Sequence, residues 1–296
     1  MGGDHPVIVQ SMANTNTNDI DASVSQAIRI IEAGGQMVRF TTQGLREVES
    51  LNQIREELQK RGYSAPLVAD VHFSSRVALE AAKVVEKVRI NPGNYMERTY
   101  EGSLSYNPEE QLKYKEKIRE RLLPLIQICL QYDTAIRIGV NHGSLSRRIL
   151  NWYGDTPEGM VESAMEFIRI FSEEDFHQLV VSLKASNTKV MVAANRLLAR
   201  TMQKQALAYP LHLGVTEAGS EEEARIKSAA GIGSLLLDGI GNTVRVSLTE
   251  DPEVEIPVAQ KIVHFFSQSE EQALLTNEHP IPPPEAIFSG KQSKPL

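Results

Sequence analysis

Eight times along this chain a short β-rich run gives way to an amphipathic helical pattern, and no other feature limits the possible folds so tightly. The runs cover residues 5–12, 36–42, 65–73, 86–92, 134–140, 178–186, 211–219 and 242–248. Several are apolar at both alternating positions near their middles, as in APLVADVHF and QLVVSLKAS. That pattern belongs to strands covered on both faces, hence to a parallel sheet. Strict strand–helix alternation points to the same arrangement. Eight units within about residues 5–267 match a closed (β/α)8 TIM barrel, which typically needs about 250 residues. The competing open doubly wound sheet usually carries a glycine-rich first turn, and the first turn here, QSMANTNTND, has no glycine. The expected domains are therefore a barrel over 1–267 and a linker-like tail over 268–296.

Helix signals support the pattern. DASVSQAIRIIEAGG offers Asp21 and Ser23 as cap candidates and closes on Gly34 and Gly35. Pro124 interrupts the long pattern after the fourth run and is expected to bend or break it. Two stretches stand outside the repeat: the loop 94–107, NYMERTYEGSLSYN, and the Pro- and Ser-rich tail. No apolar stretch reaches the roughly 18 residues needed to span a bilayer. The single cysteine, Cys129, lies in the apolar stretch LLPLIQICLQY and reads as a buried small hydrophobe. One cysteine excludes a disulfide framework and a thiolate cluster built by this chain alone, and it suits a reducing cytoplasm. There is neither an HExxH nor a CxxC pair, so no metal site is expected in this chain.

Barrel sites form where strands end. Read that way, the second, fourth, fifth, sixth and eighth runs each bring a cation: Arg39, Arg89, Arg137, Lys184 and Arg245. The chain as a whole carries a net charge of −7, so it has no general attraction for nucleic acid or anionic membranes, and this basic cluster is local. Five cations converging on one mouth repel one another unless an anion lies between them. Arginine forks match phosphate oxygens, and lysine adds a compact charge. More than one phosphate is expected. Asn91, Asn141 and Ser247 stand nearby as neutral donors, and Asp70, His72 and Glu217 share the same strand ends. Two of these readings have a plainer counterpart. Asp70 or Glu217 could simply pair with an arginine, and Asn91 in NPGN could only shape a turn. A one-residue register slip would turn any of these side chains outward.

VQSMANT, VRF, VADVHF, RINPGN, RIGVNHGSL, SLKAS, HLGVTEAG and GIGNTVRVSL occur in this order. As a set they resemble the barrel domain of the 4-hydroxy-3-methylbut-2-enyl diphosphate synthase family, over roughly residues 2–267, in its longer-chain form. A weaker kinship is to dihydropteroate-synthase-like barrels. The resemblance implies an oxidoreductase of the methylerythritol phosphate route to isoprenoids, which reductively opens 2-C-methyl-D-erythritol 2,4-cyclodiphosphate and expels water. It implies a [4Fe–4S] cluster held outside this chain, flavodoxin or ferredoxin as electron donor, a homodimer at full length and a cytoplasmic location. It assigns the diphosphate to Arg39, Arg89, Asn91, Arg137, Asn141, Lys184, Arg245 and Ser247, with Glu217, Asp70 and His72 as catalytic residues. This portion alone is then expected to bind the cyclic diphosphate without turning it over. The alternatives are a non-catalytic phosphate-binding barrel and a pterin-binding transferase-like barrel.

Overall fold

A computed structural model describes residues 2–3, 5–96, 102–103 and 105–273. The first stave of the sheet is split at Gln10 into β1 (Ile8–Val9) and β2 (Ser11–Met12). Then come β3 (Val38–Thr42), β4 (Leu67–Val71), β5 (Lys87–Ile90), β6 (Ala135–Asn141), β7 (Leu179–Lys184), β8 (His212–Leu213) and β9 (Thr243–Val244). The helices wound outside are α1 (Ile20–Glu32), α2 (Leu45–Lys60), α3 (Ser75–Ala81), α4 (Pro92–Tyr95), α5 (Pro108–Tyr132), α6 (Arg147–Tyr153), α7 (Pro157–Glu173), α8 (Thr188–Lys204), α9 (Glu221–Leu237) and α10 (Pro252–Ala273).

All pairings are parallel. The ladder runs β2-β3-β4-β5-β6-β7, and β1-β9-β8 forms the rest of the wall. A parallel bridge between Val181 and Leu211 joins β7 to the β8 segment, and the continuity of β1 with β2 joins the other side. The result is a closed eight-stave barrel, as the alternation predicts. Every residue of β4 and β7 is buried, which is why these runs read as apolar on both faces.

Several local expectations are corrected. Asp19, not Asp21 or Ser23, caps α1, its carboxylate accepting from the backbone N–H of Ala22 at 3.1 Å. Pro124 does not break α5, which runs unbroken to Tyr132. Pro124 and Glu120 are both exposed, so the carbonyl that loses its N–H partner can be met by water. Helices α4 and α6 add to the simple repeat. The final helix continues to Ala273, six residues beyond the expected tail boundary, while the rest of the tail, His279 included, lies outside the described residues, as does much of loop 94–107. The eighth run shrinks to Thr243–Val244, although the backbone N–H of Arg245 still donates to Leu213 at 3.0 Å. No helix among the described residues is long and apolar enough to cross a membrane.

Cys129 is fully buried, and burial pushes its thiol up to about 12. Only the thiolate reacts. Native protein at pH 8 should therefore resist a thiol reagent and react once unfolded in urea. Rapid labelling of the native state would place the thiol at the surface instead.

Candidate functional site

Register decides which side chains share the barrel interior. Asp70 lies opposite Arg89, Arg89 opposite Arg137, and Asn141 opposite Lys184. Residues at such positions point to the same face, so three neighbouring staves deliver their charged groups inward together. Arg39, Arg89, Arg137 and Lys184 are all buried, and Arg245 keeps 17% of its side chain exposed. Two glycines make room for them. A Cβ on Gly139 would lie 2.4 Å from Arg89 Nε, and one on Gly214 would lie 2.9 Å from Lys184 Nζ. A TIM barrel interior is ordinarily filled by branched apolar side chains. Here a large part of it is cationic. A cavity of about 600 Å³ between Tyr209, Leu211, Asp238 and Asn242 holds none of these five cations.

Three of the five cations meet a carboxylate. Asp70, wholly buried, accepts from Arg39 and, at 3.1 Å, from Arg89. Arg89 also donates to the Gly139 carbonyl at 2.9 Å. Burial alone would raise the Asp70 carboxyl, but Arg39 and Arg89 hold it well below the usual carboxylate range. Arg245 forms a two-pronged pair with Glu255, Nε to Oε2 at 3.0 Å and Nη2 to Oε1 at 2.9 Å. The other two cations have no such partner. Nε and Nη1 of Arg137 are buried without an acceptor among the described residues. Neither Arg137 nor Lys184 pairs with a carboxylate among the described residues. Burial, then the surrounding arginines, push the pKa of each well below its ordinary value. Five cations against two carboxylates leave a positive, desolvated cage. Dense positive charge and unspent N–H groups in low dielectric suit a multiply charged anion.

The remaining sequence candidates divide. His72 Nε2 lies 3.1 Å from Asp70 Oδ2, with a third of its side chain exposed. Glu217 sits at the rim, exposed, with φ +49°. A non-glycine residue held in the left-handed region is uncommon. Among the described residues Glu217 has no arginine partner in any ion pair, which corrects that half of its reading; Glu255 takes the role. Asn91 caps α4, its Oδ1 accepting from Gly93 N–H at 3.0 Å and its Nδ2 donating to Ser144 Oγ at 3.0 Å. The turn reading therefore describes Asn91 better than the phosphate reading does. Asn141 and Ser247 are half-buried, Asn141 opposite Lys184 and Ser247 two residues past Arg245.

Three interior groups escape the sequence reading. Lys87 precedes Arg89 by two and shares its face, and burial, then Arg137, bring its amine down to about 8. The i, i+2 spacing in KVRI is the signal that could have found it. His212 precedes Gly214 by two in the same way. Glu255 has no such signal, because it reaches in from the first turn of α10.

The GcpE TIM-barrel domain family matches residues 1–260. A protein of Parabacteroides distasonis named 4-hydroxy-3-methylbut-2-en-1-yl diphosphate synthase (flavodoxin) is 60% identical over 271 residues, covering 91% of this chain and 44% of the relative. A Synechococcus protein named as the ferredoxin form is 53% identical over 265 residues, 89% of this chain and 67% of the relative. The chain thus spans less than half the length of the Parabacteroides relative. Among solved structures, Yersinia pestis dihydropteroate synthase superposes with a TM-score of 0.57 at 12% identity, over 90% of this chain and 94% of that one. At that identity the likeness is one of fold alone.

Proposed function

The chain belongs to the GcpE TIM-barrel domain family, and from that premise we propose that it is the substrate-binding barrel of a 4-hydroxy-3-methylbut-2-enyl diphosphate synthase. The substrate is 2-C-methyl-D-erythritol 2,4-cyclodiphosphate. Its two phosphates sit among Arg39, Arg89, Arg137, Lys184 and Arg245, with Asn141 and Ser247 as neutral donors. Asn91 acts from behind by holding the Gly93 turn against Ser144. One observation carries the reading: Arg137 is buried among other cations with two guanidinium nitrogens unspent. Buried polar groups in folded proteins nearly always have partners, and an anionic ligand would supply these.

Opening the ring with loss of water requires two electrons and a proton donor near the departing oxygen. Glu217 stands at the rim with its carboxyl unclaimed by any arginine among the described residues, and we assign it that role. Asp70 and His72 form the polar wall beside it. The relatives' names support flavodoxin or ferredoxin as the electron source. The [4Fe–4S] cluster of such an enzyme does not fit this chain. Its single thiol, Cys129, is buried in α5, and no group of three His, Cys, Asp or Glu among the described residues could hold a metal. The proposal therefore places the cluster's ligands in the further length that the relatives possess. A barrel whose last helix runs to Ala273, followed by a connecting segment, in a homodimeric enzyme of the longer-chain form, suits this division of labour.

Calorimetry of the chain with the cyclic diphosphate should give a binding isotherm that weakens steeply with salt, accompanied by a rise in melting temperature. No heat and no thermal shift would overturn the proposal.

A further inference from the structure

We propose that His212 is a hydrogen-bond donor at the floor of the cation cage, presenting Nε2–H to a phosphoryl oxygen of the bound diphosphate. The inference rests on the diphosphate reading above and assigns a contact that composition and motif did not suggest. His212 is completely buried. It lies two residues before Gly214, whose Cβ position would be 2.9 Å from Lys184 Nζ, so its ring faces the same interior.

The two ring nitrogens have different surroundings. Nδ1 lies 3.1 Å from Gln10 Nε2 and 3.4 Å from Thr243 Oγ1. The Gln10 amide also donates to Thr243 Oγ1 at 2.8 Å. With the amide N–H donating, Nδ1 is the acceptor and the ring proton resides on Nε2. Nε2 itself has no hydrogen-bond partner among the described residues.

The charged groups that act most strongly on the ring cannot fill that gap. Lys184, Arg137, Arg39 and Lys87 are all cations, and burial followed by these four drives the ring toward its neutral form, well below the ordinary histidine pKa. A cation offers no lone pair to an N–H donor. The missing acceptor must be brought in from outside, and in a cage of this charge it is an anionic oxygen. The choice of imidazole over another lysine has a physical reason. One more charge would add to the repulsion of the empty barrel, whereas an uncharged N–H recognises the anion without that cost.

The test uses the full chain labelled with 15N-histidine. In the free protein at pH 7, the His212 ring should appear as the neutral Nε2–H tautomer. Titration with 2-C-methyl-D-erythritol 2,4-cyclodiphosphate should move its Nε2 proton downfield, leaving the surface rings of His5, His177 and His264 where they were. His212→Leu should weaken binding about ten- to a hundredfold, the effect of losing one hydrogen bond to a charged group, and His212→Gln should recover part of it. Should His212→Leu fail to fold, the wild-type spectra decide alone. Binding by the wild type with no movement of the His212 resonance, or an unaltered affinity in His212→Leu, would overturn the inference and leave the diphosphate reading standing. Failure of the wild type to bind would overturn that reading itself.

Discussion

Arg137→Met is expected to cut affinity for the cyclic diphosphate by at least about a hundredfold and, at the same time, to raise the melting temperature of the ligand-free chain. The binding loss follows from two unspent, fully buried guanidinium nitrogens. Each charge-assisted hydrogen bond contributes roughly 1.5–3 kcal/mol, and about 1.4 kcal/mol is tenfold. The gain in stability follows from the same burial. Arg137 is 2% exposed and pairs with no carboxylate among the described residues, so folding desolvates its charge beside Arg39 and Arg89 with only the more distant Asp70 to offset it. Methionine fills a similar volume with no charge. Opposite signs on binding and stability mark a group kept for its ligand rather than for the fold. Arg245→Met provides the contrast. It would also weaken binding, but it strands the buried Glu255 carboxylate and so should lower the melting temperature. Calorimetry and thermal unfolding on the two variants check both signs. Unchanged affinity in Arg137→Met would remove that residue from the site.

Asp70→Asn should be the more damaging change to the fold. One carboxylate, wholly buried, holds Arg39, Arg89 and His72. Removing its charge leaves the buried arginines facing one another, and breaking a buried pair typically costs about 3–5 kcal/mol. Urea denaturation would measure the loss. The pH dependence has a definite direction. An unfolded aspartate titrates near about 3.9, and in the folded state this carboxyl is held well below its usual range. Its stabilisation is therefore complete above the unfolded value and is lost as pH falls toward the lower folded value. Wild-type stability should accordingly decline below about pH 4 more steeply than that of Asp70→Asn. The cyclic diphosphate should restore part of the variant's stability at neutral pH, because the ligand's charge replaces the missing carboxylate. Identical acid limbs for the two proteins would mean that Asp70 is not the group that holds the cage together.

How much of this was legible beforehand depended on the range over which each interaction acts. Strand and helix periodicity is local, so eight alternating units and runs apolar on both faces were enough to reach a closed parallel barrel. The same period of two placed Arg39, Arg89, Arg137 and Lys184 inward, and motif order brought the family into view. Local capping was less secure, because Asp19, Asp21 and Ser23 all suit a helix start and only the backbone path chose Asp19. Pro124 does not interrupt α5, because whether a proline breaks a helix depends on whether the freed carbonyl meets water, which is a matter of helix facing.

The chain alone thus determined the fold class and the convergence of positive charge, since both follow from alternation along short segments. Only the folded barrel decided which charges are satisfied. Asp70 reaches an arginine 31 residues away, and Gln10 reaches His212 across 202. Glu255 turns in from a helix to meet Arg245, leaving Glu217 exposed at the rim. Those pairings are set by stave register and barrel closure, and no pattern confined to one segment can encode them.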